Sequence, residues 1–290
     1  MSTIRDHAPN IHNPVRELAR EHPGLVKIGR AGWFTKGVVY VLAGILALQI
    51  AAKASGFAKG AQTGQQEASP TGAIKTVAGS GGGTFLLWLL AIGMLLYAVW
   101  RVVSAFLPGG KDAKAWATRI GYIASAVVYV TFAFSAIALA RDSNKVPNGN
   151  QKVTDISAKV MSHTGGRLLF GAIGVIIIAT GLYRIYKGLK MDVDDELDMS
   201  GTGPGYRKVV APLGAIGEIG RGIGFAVVGF FLTRAAIQYD TNDATGLDGA
   251  LRRIAAHSWG VVVVIIVGIG FAAYGAFCLA TFSHRRLEAP

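Results

Sequence analysis

The sequence predicts an all-α integral membrane protein: six transmembrane helices arranged as three repeated helical hairpins in a pseudo-threefold bundle. Three observations predict it. Hydrophobic residues make up 51% of the 290, while charged residues are held to 16%. Apolar runs of about 20 residues, enough to cross about 30 Å of hydrocarbon, recur near 33–52, 84–106, 117–140, 167–187, 214–237 and 259–282. The runs are also self-similar. First helices open with Gly32-Trp33 and Lys36-Gly37-Val38-Val39-Tyr40, with Gly121-Tyr122 and Ala126-Val127-Val128-Tyr129, and with Gly217 and Arg221-Gly222-Ile223-Gly224-Phe225. Second helices close on a tyrosine with an aromatic residue three places on: Tyr97 and Trp100, Tyr183 and Tyr186, Tyr274 and Phe277. A unit repeated at a fixed period is the folding unit.

Along the chain, residues 1–27 read as a cytoplasmic N-terminal tail in which Pro14 to Ala19 could begin a short surface helix. Hairpin 1 spans 28–110. Its first apolar run exceeds the 7–15 residues of a secretory signal, and the same pattern returns twice inside the chain, so it reads as a retained span. Hairpin 2 spans 111–190, an acidic and glycine-rich cytoplasmic linker 191–210, and hairpin 3 211–285. Arg221 and Arg234 leave a short uncharged core in the fifth span; long basic side chains near helix ends can snorkel to the interface. The connections at the far side share a plan. Polar stretches at 53–72 and 141–152, rich in Gly, Ser, Asn and Gln, read as mobile loops, and amphipathic turns follow at Ala73 to Val77, Ile156 to Met161 and Leu247 to Ala256. Such turns suit the interface plane.

Charge sets the orientation. Of the 29 Lys and Arg, 18 fall on the side that holds the N-terminus, so the positive-inside rule puts both termini in the cytoplasm. Trp33, Trp100 and Trp116 mark the cytoplasmic interface and Trp259 the outer one. The net charge of +12 is thereby read as membrane topology, and no nucleic-acid partner is expected.

The residues that could carry chemistry point away from catalysis. Cys278 is the single cysteine, which excludes an intramolecular disulfide and any multi-cysteine metal site. His7, His12, His22, His163, His257 and His284 all lie outside the spans, so the paired ligands of a membrane haem are missing. Asp192, Asp194, Asp195, Glu196 and Asp198 lack the alternation and the glycine of a calcium loop and read as a solvated linker. The glycine-rich Ser200 to Gly205 lacks a Gly-Lys-Ser/Thr ending and reads as linker too. Proton and sodium pathways place Asp or Glu within the spans; only Glu218 comes near, and Arg221 at i+3 can pair with it. No Ser-His-Asp grouping, paired acids or HExxH motif occurs. The expectation is a protein that is not an enzyme and holds no cofactor or metal.

What remains is a ring of basic and aromatic residues at the cytoplasmic face: Lys36, Arg101, Lys187 and Arg221, with Tyr40, Tyr97, Tyr129, Tyr183 and Tyr274 just above them. Such residues can serve as interfacial anchors or as a pocket for anionic lipid headgroups. Glycines at small-residue spacing, such as Gly217, Gly220 and Gly224, predict close helix packing.

The opening Arg30-Ala31-Gly32-Trp33-Phe34-Thr35-Lys36-Gly37-Val38-Val39-Tyr40 followed by Gly44, and Gly93-x-x-x-Tyr97 with Trp100-Arg101, resemble a family of bacterial membrane proteins, domain-of-unknown-function family 1206. The likeness covers about residues 28–285 and implies triplication of the hairpin. Copy 2 departs from the pattern with Ser125-Ala126 in place of Lys-Gly, and copy 3 has Cys278 in place of the closing arginine. The resemblance implies no activity. Two readings stay open: a non-catalytic membrane protein that binds membrane lipids or serves another membrane protein or complex, and a small channel or facilitator.

Overall fold

The computed structural model describes residues 23–57, 68–78, 82–106, 113–142, 149–191, 204–240 and 243–283. The surface helix expected at Pro14 to Ala19, the acidic cluster at 192–198, and Arg285 with Arg286 lie outside the described residues. Among the described residues the chain is all-helical: α1 (Pro23–Ala54), α2 (Pro70–Ala78), α3 (Gly83–Phe106), α4 (Ala113–Arg141), α5 (Gly149–Met161), α6 (Gly166–Leu189), α7 (Pro204–Gln238), α8 (Leu247–Ala255) and α9 (Ser258–Thr281). The six long ones are apolar and long enough to cross a membrane. The three short ones coincide with the amphipathic turns read from the sequence. The expected loop 141–152 is shorter than anticipated, because α5 already begins at Gly149.

The first and last long helices start and finish at one end of the bundle, where the Trp33 indole N–H donates to the Thr281 hydroxyl at 3.1 Å. This end is termed proximal and the opposite one distal. The most extensive packing is not within hairpins but between successive ones: α3 on α4, α6 on α7, and α9 on α1. These three pairs repeat around the bundle axis and produce its pseudo-threefold character. Small residues permit the close approaches. A Cβ at Gly181 of α6 would stand 2.5 Å from the Gly222 carbonyl oxygen of α7, so any side chain there would push the two backbones apart and forfeit dispersion contacts that lipid does not replace.

Within hairpins the symmetry breaks. In hairpin 1, Gly32 of α1 packs on Tyr97 of α3, so a Cβ would stand 2.5 Å from the Tyr97 Cβ; in hairpin 3, Gly217 of α7 packs on Tyr274 of α9, where it would stand 2.7 Å away. Hairpin 2 carries the corresponding residues, Gly121 and Tyr183, and does not join them. Nothing lies within 4 Å of the Cβ position of Gly121, Tyr183 is 64% exposed, and α4 and α6 form no sustained packing. A seam therefore separates α4 from α6, while every other neighbouring pair of long helices is packed.

The distal end is tied across all three repeats. Asp248 of α8 is 3% exposed; its carboxylate accepts from the Ala68 backbone N–H at 2.7 Å, from Asn150 Nδ2 of α5 at 3.1 Å and from Arg252 Nε at 2.9 Å. The Asn150 side-chain oxygen in turn accepts from the Gly249 backbone N–H at 3.0 Å. Each distal connection thus supplies one member. Three-to-four-residue spacing explains α8 itself, where Asp248, Leu251 and Ala255 are buried on one face while Arg252 is exposed.

Candidate functional site: a basic and aromatic cavity at the proximal end

A small cavity of about 80 Å³ opens among α1, α3, α6, α7 and α9. Its lining includes Trp33 and Lys36 from α1, Arg101 from α3, Arg184 and Lys187 from α6, Gly214, Glu218 and Arg221 from α7, and Tyr274 and Phe277 from α9. All four basic residues singled out from the sequence converge here although they come from four different helices. The cause is the repeat: each occupies an equivalent depth in its own copy, and the pseudo-threefold arrangement turns equivalent depth into proximity.

Lys36 is 7% exposed and sits against faces rather than anions. Its ammonium lies 4.5 Å from the Trp33 ring centroid, 5.1 Å from Tyr274 and 5.4 Å from Tyr97, and it donates to the Tyr97 hydroxyl at 3.5 Å. Arg221, 4% exposed, has its guanidinium carbon 3.7 Å from the Tyr274 centroid and 5.5 Å from that of Tyr40. Aromatic quadrupoles attract cations most where water is excluded, by about 2 kcal/mol. That contribution falls short of the several kcal/mol needed to desolvate an ion, so these cations retain a demand for negative charge.

Glu218 supplies part of it. Its carboxylate accepts from Arg184 at 2.9 Å and stands 3.3 Å from Arg221 Nη1. The Arg221 contact has the distance of an ion pair without the direction of a hydrogen bond, and both Nε and Nη1 of Arg221 find no acceptor. Arg101 lies 5.1 Å from the Tyr97 centroid and 5.0 Å from that of Tyr122. The described lining therefore sets five cations against one carboxylate.

The tyrosines divide. Tyr40, Tyr97 and Tyr274 face Lys36 or Arg221 directly. Tyr129 stands one layer back, its ring 4.5 Å from Tyr97. Tyr183 is not brought in and faces outward on α6. Two lining residues went unselected in the sequence reading: Arg184, which lies one place beyond Tyr183, and Glu218, read only as half of a helix-end pair. The signal for Arg184 was its position three residues before Lys187, on the same face of α6. The proximal side is floored by the first turns of α7: Val210 is buried with Trp33, Tyr97, Tyr274, Phe277 and Cys278, and the Tyr206 hydroxyl donates to the Ala280 carbonyl at 2.6 Å.

Fold and site define a multi-pass α-helical membrane protein of three repeated hairpins enclosing a cationic cavity. The chain belongs to the family described as Domain of Unknown Function (DUF1206), whose pattern matches residues 31–107, 120–191 and 216–281, once per hairpin. It is 30% identical over 271 residues to a Bacillus subtilis (strain 168) protein named Uncharacterized protein YxxB, a match covering 92% of this chain and 94% of that one. No solved structure matches.

Proposed function

We propose that the protein is a non-catalytic membrane protein whose proximal end faces the cytoplasm and whose cavity holds the anionic headgroup of a membrane lipid. The observation that carries this reading is Arg221, whose buried Nε and Nη1 find no acceptor in a cavity whose described lining sets Lys36, Arg101, Arg184, Lys187 and Arg221 about Glu218. Buried donors left unmet cost about 1–3 kcal/mol each, more when charged, and a phosphate oxygen would satisfy them. Basic pockets between helices on the cytoplasmic side are the recognised setting for anionic headgroups. Glu218 is engaged by two arginines and acts as counter-ion. The facilitator alternative needs a path through the distal half, where the Asp248 tie crosses between all three repeats; that tie supports a site with one accessible end.

Neutralising Lys36, Arg101, Lys187 and Arg221 to glutamine together tests the proposal. At about 1 kcal/mol per basic residue near an anionic surface, the loss of four approaches 4 kcal/mol, nearly a thousandfold in affinity. Lipid extracted from the purified variant should lose its excess of anionic over zwitterionic species, while the protein still elutes as a monodisperse helical species. An unchanged lipid ratio in a folded variant would remove the lipid-binding reading.

A further inference from the structure

We infer that the cavity is fed sideways from the bilayer: its ligand is a diacyl lipid with an anionic phosphate headgroup, admitted through the seam between α4 and α6. The inference rests on the lipid-binding reading and adds route and ligand class.

Hairpin 2 has the residues that close the other two hairpins and does not use them. Gly32 meets Tyr97 and Gly217 meets Tyr274, whereas the Cβ position of Gly121 faces open space and Tyr183 is exposed. The opening is therefore not dictated by a bulky residue in α4. The helices next to it line the cavity: Arg101 comes from α3, on which α4 packs, and Arg184 with Lys187 from α6. Tyr183 and Lys187 are four residues apart on one face of α6, so the exposed tyrosine marks the way to a lining cation.

The other approaches are occupied among the described residues. The first turns of α7 pack beneath Trp33, Tyr274 and Phe277, and the Asp248 tie crosses the distal end. The gap between α4 and α6 opens between helices that present exposed apolar side chains, Ile123 and Val127 of α4 and Leu182 of α6 among them. A lipid using this route moves its headgroup from the interface into the cationic cavity while its tails stay in the bilayer. Only the headgroup is then desolvated, and the row of cations ending at Arg221 repays it. A free aqueous anion has no tails to be accommodated and gains nothing from an opening onto lipid.

The experiment replaces Tyr183 with a benzophenone amino acid in the full chain, reconstituted in phosphatidylcholine vesicles with a minor fraction of phosphatidylglycerol. The control carries the same photoprobe at Val262, an exposed position on α9. On illumination, position 183 should capture phosphatidylglycerol several-fold above its share of the bilayer and position 262 in proportion to it. Arg221→Lys, which keeps the charge but removes the guanidinium, and Arg101→Gln should each reduce the enrichment at 183 in folded protein. Excess inorganic phosphate should leave it unchanged. Equal capture at 183 and 262 would overturn the lateral route. If lipid co-purification still depended on the four cations, only the route would have failed; if it did not, the lipid-binding reading would fail with it. Displacement by inorganic phosphate would assign the cavity to a free anion and overturn the inference.

Discussion

Three glycine-to-alanine substitutions at repeat-equivalent positions read the state of the seam directly. Gly32→Ala would place a methyl group 2.5 Å from Tyr97 Cβ and 2.8 Å from its Cα, and Gly217→Ala would place one 2.7 Å from both atoms of Tyr274. Non-bonded carbons prefer about 3.5–4.0 Å, so each pair of helices must separate by roughly 1 Å, and overpacking of this kind costs about 1–3 kcal/mol. Gly121→Ala meets nothing within 4 Å; it only reduces the backbone freedom of glycine, a gain of about 0.5–1 kcal/mol in a helix. Because that gain is common to all three, the net expectation is a loss of about 1–2 kcal/mol at Gly32 and Gly217 and no loss at Gly121. Reversible unfolding in mixed detergent micelles, monitored by tryptophan fluorescence, ranks the three variants against the parent. If Gly121→Ala destabilises as much as Gly217→Ala, hairpin 2 is closed like its neighbours and the seam does not exist in the folded protein.

Two further outcomes test the distal end and the orientation. Asp248→Ala strands the Ala68 N–H, Asn150 Nδ2 and the Arg252 guanidinium and should cost about 3 kcal/mol in the same unfolding assay; Asn150→Ala should be non-additive with it, since the two share partners, and strict additivity would show that the tie is not one unit. If both termini lie in the cytoplasm, as proposed, a membrane-impermeant thiol reagent on intact cells should leave the buried Cys278 unmodified, whereas a cysteine introduced at Asn148 in a Cys278→Ser background should react; labelling of that position only after the cells are opened would invert the orientation.

Fold class was legible because hydrophobic length and repetition are one-dimensional signals. Six apolar runs and three Gly…Tyr hairpins predicted the long helices, and the structure matches them within a few residues except at the N-terminal ends of α1 and α7, which begin ten residues earlier. Convergence of Lys36, Arg101, Lys187 and Arg221 was legible for the same reason, since equivalent depth in a repeat becomes adjacency once the repeats close into a ring. The dominance of packing between successive hairpins was not legible. Sequence repetition defines a unit but not which face of it meets the next, and Gly181 against Gly222 is a contact that no periodicity within one hairpin specifies. Nor could Asn150 be recognised as a hub. It lies in a polar stretch that reads as loop, and its partners Asp248 and Gly249 are nearly a hundred residues away. The symmetry that located the others also set Tyr183 in the ring, and only tertiary packing reveals that it faces outward where α4 and α6 stand apart.

That broken symmetry gives the sequence departures of the repeats a physical sense. The six equivalent proximal positions are Lys36, Ser125 and Arg221 on first helices and Arg101, Lys187 and Cys278 on second helices. At these positions α4 and α9 carry no cation. On α9 the thiol of Cys278 is buried behind Tyr274 and Phe277, in the apolar floor where a charge would go unpaired. On α4 the equivalent position holds Ser125, so on the proposed route a headgroup meets no cation at that depth of α4 before Arg101, Lys187, Arg184 and Arg221. A cation at Ser125 would hold an anionic headgroup at the threshold; its absence leaves the strongest attraction at the far end, where Arg221 still has N–H groups to offer. The copy without a basic residue on its first helix is also the copy whose hairpin stands open, and on the proposed reading both departures favour movement of negative charge past α4 and its retention against α7.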